Sequence, residues 1–85
     1  MTNLEVYYKR QRCTQKIAFG TSGNALNRQE YIGWALPGTG TDAQGWLIMK
    51  MTYDSSGRQT DIKWANSESD KFDKIWDSKG DYTYG

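Results

Sequence analysis

Two alternating segments facing each other across a glycine-containing turn constrain this chain more than any other feature. Residues 46–53 read Trp46-Leu47-Ile48-Met49-Lys50-Met51-Thr52-Tyr53, and residues 59–65 answer with Ile62 and Trp64 alternating against Asp61 and Lys63. Between them lies Asp54-Ser55-Ser56-Gly57-Arg58. Asp-Ser-Ser-Gly supplies a type I turn followed by a glycine able to take the left-handed conformation, so the unit predicts a central β-hairpin over 46–65. Leu47, Met49, Met51 and Tyr53 share one face of the first strand, with Trp46, Ile48, Lys50 and Thr52 on the other. Apolar residues on both faces predict a central strand covered twice. The return strand has the pattern of one wet on one side.

The flanking segments extend the β reading. Leu4, Val6 and Tyr8 alternate with polar neighbours, and the stretch to Ile17-Ala18-Phe19 predicts one or two strands over 4–19, ended by the turn cluster Gly20–Asn24. A short helical piece fits 25–29. Residues 30–36 read as a strand, stopped at Pro37-Gly38, where proline lacks the amide donor and glycine tolerates positive φ. A single helical turn fits 41–44. Ser67 followed three residues on by Asp70 is a helix-start pattern, and Phe72, Ile75 and Trp76 share one helical face, so a short helix is expected near 68–78. Asp81-Tyr82-Thr83-Tyr84 reads as a terminal strand. The expectation is a mainly β fold, a small antiparallel sheet or sandwich, in one domain over 1–85.

A chain of 85 residues buries only about 60% of the surface its unfolded form exposes, so its core is thin. Folds this small gain stability from disulfides, metals or oligomerisation. With one cysteine, Cys13, and no histidine, oligomerisation is the remaining remedy. Four Trp, six Tyr and two Phe contradict the aromatic-poor signature of disordered chains. A core assembled from few large rings follows, with further rings left to meet a partner.

Net charge is +1, which gives no global field favouring nucleic acid. The first third is basic, with Lys9, Arg10, Arg12, Lys16 and Arg28 against Glu5 and Glu30. The remainder is mildly acidic. Residues 1–5 lack the basic and apolar regions of a signal peptide, and no apolar run approaches the ~20 residues that span a bilayer. Synthesis in the cytoplasm and no membrane association are expected.

Catalysis finds little to work with. Histidine, the commonest acid–base group, is absent, and Cys13 beside Arg12 reads as strand packing rather than an activated thiol. The clusters that hold zinc are missing. Asp70, Asp73 and Asp77 stand at helical spacings but interleave with Lys71, Lys74 and Lys79; an ion-paired face, with Asp70 against Lys74, is the expected outcome. No enzyme activity, metal or cofactor is therefore expected. The segment Tyr7-Tyr8-Lys9-Arg10-Gln11-Arg12, continuing to Lys16, is the candidate for single-stranded nucleic acid or for docking onto another protein. Trp34, Trp46, Trp64 and Trp76 lie in apolar patterns that suit core or interface, and a pair of exposed rings would suit a carbohydrate-binding adhesin.

Several motifs follow one another in residues 31–84: Tyr31-Ile32-Gly33-Trp34-Ala35-Leu36-Pro37-Gly38-Thr39, Trp46–Tyr53, Ile62-Lys63-Trp64-Ala65, Phe72-Asp73-Lys74-Ile75-Trp76-Asp77 and Tyr82-Thr83-Tyr84. The succession resembles small virion structural proteins of tailed bacteriophages. The resemblance implies a non-enzymatic particle component of tail, neck or capsid exterior. Its partners would be copies of itself and other virion proteins. Under that reading Trp34, Trp46, Ile48, Trp64, Phe72, Ile75, Trp76, Tyr82 and Tyr84 supply core and interface, and the basic segment docks onto a neighbouring subunit.

Overall fold

The structure, a computed structural model, describes residues 13–85. It is mainly β: β1 (Thr14–Phe19), β2 (Gln29–Ala35), β3 (Gln44–Tyr53), β4 (Gln59–Trp64) and β5 (Lys74–Ile75), with short 3₁₀ helices at Gly23–Ala25 and Trp76–Asp81. Neighbouring strands from β1 to β4 pair antiparallel in chain order, and β5 pairs with the start of β3. The expected segment 4–12 lies outside the described residues.

The β3–β4 hairpin forms where its sequence calls for it. Gly57 sits at φ 83° and donates its N–H to the Asp54 carbonyl at 3.0 Å, while Asp54 N–H donates to the Arg58 carbonyl at 2.9 Å. The Asp54 carboxylate accepts from the backbone N–H groups of Ser56 and Arg58, both at 2.9 Å, and from Arg58 Nε at 3.0 Å. These bonds, the Arg58 amide first, hold its pKa below the ordinary carboxylate value. The turn is thus closed by its own side chain.

Strand β3 is central, and Trp46 and Ile48 on one face and Leu47 on the other are all inaccessible. The Trp46 face is roofed by the C-terminal segment. Small residues there, Gly33, Ala35 and Ala65, lower the sheet surface so that large rings can lie on it. The Trp76 ring settles over Gly33 and meets the Trp46 ring at 5.6 Å between centroids. Tyr82 and Tyr84 pack against this cluster. The polar tips are satisfied: Trp46 Nε1–H donates to the Gly40 carbonyl at 2.9 Å, Tyr84 Oη–H to the Lys79 carbonyl at 2.6 Å, and Tyr82 Oη accepts from Ile75 N–H at 2.9 Å.

The helix expected near 68–78 does not form. Asn66 and Ser67 both take positive φ, 55° and 60°, and Ser67 N–H and Glu68 N–H bond back to the Trp64 and Ala65 carbonyls. This tight turn carries the chain back to β3. Since β4 ends at Trp64, the start of β3 has backbone groups free on that side, and Lys74–Ile75 pairs with Gln44 and Trp46 there. Satisfying those groups in the sheet outweighs an isolated helix of this length, which is marginal by itself. Phe72, Ile75 and Trp76 consequently share no helical face. Helical structure begins only at Trp76, as a 3₁₀ turn. Elsewhere the 3₁₀ turn at Gly23–Ala25 precedes the helical piece expected over 25–29, residues 41–43 form turns, and the terminal strand shrinks to one bridge between Tyr84 and Ala65.

Ser67 pays for its left-handed backbone with a Cβ clash that glycine lacks. Replacing it with glycine, Ser67→Gly, is expected to stabilise the fold by about 0.5 kcal/mol after the added entropy of the unfolded chain is subtracted. A thermal melt should show a rise of roughly 2–4 °C; a fall would mean that the Ser67 side chain contributes more than its backbone costs.

Candidate functional site

The face of the sheet opposite Trp76 carries the candidate surface. Strand register places Ile17, Ile32, Met49 and Trp64 in one row that crosses all of β1 to β4. Beside it lie the rows Gln15–Trp34–Leu47 and Met51–Ile62. Leu47, Ile32 and Met51 are buried, but Ile17 is 38% and Ile62 51% exposed, with Trp34, Met49 and Trp64 half-buried between them. Trp34 and Trp64 approach at 6.1 Å between ring centroids, tilted by 31°. No residue in these aligned rows is charged, because alternation sends Lys16, Lys50, Asp61 and Lys63 to the other face.

That other face handles its charge locally. Lys50 Nζ lies 5.6 Å from the Tyr31 ring and 5.7 Å from the Tyr84 ring, and Lys79 Nζ lies 4.6 Å from the Trp76 ring. Burial, reinforced by Tyr31 and Tyr82, pushes the Tyr84 phenol well up, so it stays a neutral donor. Lys74 is buried at 3% exposure and donates to Glu68 at 2.8 Å and to Asp73. Burial alone would lower its pKa, but the bonds to Asp73 and Glu68 outweigh it and the net direction is up. Lys74 and Lys71 in turn hold Glu68 below its ordinary value. The expected Asp70–Lys74 pair is therefore replaced by Glu68 and Asp73 around Lys74, since the helical spacing on which it depended does not exist.

The predicted site residues divide cleanly. Trp46, Ile48 and Trp76 are core; Tyr82 and Tyr84 form its half-buried roof; Trp34 and Trp64 belong to the apolar face. Ile75 is half-buried in β5, and Phe72 lines a cleft of about 270 Å³ with Cys13, Leu36, Thr39, Gln44 and Gly45. Lys16 is exposed on β1, while Tyr7, Tyr8, Lys9, Arg10 and Arg12 lie outside the described residues. Sequence reasoning missed Ile17, Met49 and Ile62 as surface residues. Alternation placed Met49 and Ile62 on the apolar face, but only the packed structure shows that, among the described residues, Ile62 stays exposed and Met49 half-buried there.

Among the described residues no group of three or more Cys, Asp or Glu is placed to hold a metal, and no helix is long and apolar enough to cross a membrane. Comparison with protein-family models, curated proteins and solved structures returns no match.

Proposed function

We propose that this protein is a non-enzymatic assembly subunit whose apolar sheet face packs against a copy of itself. The observation that carries this reading is the row Ile17–Ile32–Met49–Trp64, apolar across all of its strands and exposed at its Ile17 end. A two-fold contact sets each surface against itself, so a charge near its axis would meet its own kind. These rows contain none. The resemblance of residues 31–84 to virion structural proteins of tailed bacteriophages supports the same reading and extends it to a particle component made in the host cytoplasm.

Light scattering at two protein concentrations and at low and high salt tests it. An oligomer that persists at high salt is expected, because apolar burial is not screened. Ile17→Lys should lower that mass at matched concentration, weakening the contact by more than about tenfold, since it buries a charge in the interface while sparing an already exposed position. A monomer throughout would sink the reading. Tryptophan fluorescence with oligosaccharides would then be the next measurement, testing the Trp34–Trp64 pair as a carbohydrate site.

A further inference from the structure

Lys74 sits where a charge is hardest to keep. It is 3% exposed and lies in β5 opposite Trp46, two residues before the Trp76 ring that covers Gly33. The stretch of β3 on which β5 lies, Gln44 to Trp46, carries no charge. Among the described residues the Lys74 ammonium is compensated only by Glu68, at 2.8 Å, and by Asp73. Both carboxylates reach water, with side chains 27% and 57% exposed. Lys71 holds the other Glu68 oxygen at 3.0 Å, and Asp70 acts on Lys71. On the 3₁₀ helix that follows, Asp77 accepts from the Thr41 hydroxyl at 3.2 Å, Lys79 lies over the Trp76 ring and Asp81 stands at the end.

An ion pair of this kind adds little stability that an apolar side chain of similar volume would not, whereas losing one partner leaves a buried charge uncompensated. What it adds is a condition: β5 stays docked only while the carboxylates are ionised. We propose that Lys74 is an acid-operated latch, which releases β5 and the segment through Tyr84 from the sheet when Glu68 and Asp73 take up protons. The ammonium cannot answer by losing its own proton, since even deeply buried lysines give theirs up only above about pH 5. Its remaining route to water is to leave the sheet, and Ile75 and Trp76 leave with it. Lys74 first and then Lys71 hold Glu68 below its ordinary value of 4.5. The Glu68 contribution is therefore complete above that value and is lost as pH falls through the lower folded one. Lys74, shifted upward by its bonds to Asp73 and Glu68 against the effect of burial, stays charged throughout that range. Release uncovers the small residues Gly33, Ala35 and Ala65 beneath the roof.

The latch is independent of the assembly reading, and residue-by-residue NMR of the full chain between about pH 7 and about pH 3 separates the two. Below the ordinary Glu68 value of 4.5, the amide signals of residues 74–84 should leave their folded positions. Those of β1 and of the β3–β4 turn should stay dispersed. Loss of an apolar-face contact would instead move Ile17, Met49 and Ile62. Lys74→Met keeps the length of the side chain without its charge, so it should stay closed to a pH lower by about one unit or more. Glu68→Gln leaves Asp73 as the one carboxylate on Lys74 and should open at a higher pH than the wild type. Should Lys74→Met fail to fold at neutral pH, the Glu68→Gln midpoint decides by itself. The latch is overturned if Lys74→Met or Glu68→Gln opens at the wild-type pH, if residues 74–84 stay docked down to about pH 3, or if all strands lose their signals together with them.

Discussion

Trp46→Ala is expected to leave the chain mostly unfolded under conditions where the wild type is folded. The indole is 2% exposed, stacks on Trp76 at 5.6 Å and donates to the Gly40 carbonyl at 2.9 Å. Truncating a buried tryptophan costs about 3–5 kcal/mol. A domain of 85 residues has a total stability of roughly 4–13 kcal/mol at the usual ~0.05–0.15 kcal/mol per residue. The loss is a large part of it, and the ring supports both the sheet face and the loop that precedes β3. Denaturant titration followed by far-ultraviolet circular dichroism measures the cost. Trp46→Phe keeps a ring and loses the indole donor, so it should fall in between; equal midpoints for Trp46→Phe and wild type would show that the Gly40 bond contributes nothing.

Gly33→Ala is the second large effect, and it acts by adding atoms. A Cβ at this position would lie 2.6 Å from both Cε3 and Cζ3 of Trp76 and 3.0 Å from Cε3 of Trp46. Both rings are buried, so neither can swing away without opening the core. Overpacking of this kind costs about 1–3 kcal/mol, and here the side chain displaced is the one that holds the C-terminal segment down. The expected result is a loss near the upper end of that range, with a red shift of tryptophan emission as Trp76 lifts. Trp76→Leu makes room for the methyl. The double variant should therefore be less destabilised than the sum of the two single ones by about 1 kcal/mol or more, a coupling that a double-mutant cycle reads directly. Strict additivity would place the Gly33 effect in the strand backbone instead of under the ring.

The same contact shows where sequence reading stops. Tyr31-Ile32-Gly33-Trp34-Ala35 announces a strand, and nothing local explains a glycine in it, since glycine weakens strands. The explanation is a ring that arrives from far along the chain, at residue 76. Ile62 makes the converse point. Its alternation with Asp61 and Lys63 is legible and places it on the apolar face, but alternation gives a face its polarity without saying whether anything covers it.

Local chemistry by itself determined the β3–β4 hairpin, its turn, the assignment of side chains to the two faces of β3 and the mainly β class. Each depends on residues adjacent in sequence or on the period of two along a strand. Tertiary structure alone decided the fate of residues 66–81. There the helix-start pattern and apolar spacing lost to unpaired backbone groups at the start of β3, and the Asp70–Lys74 pair lost to Glu68 and Asp73. Those backbone groups belong to a strand some thirty residues earlier. The cost of leaving them unsatisfied in a thin core exceeds the gain from a short helix.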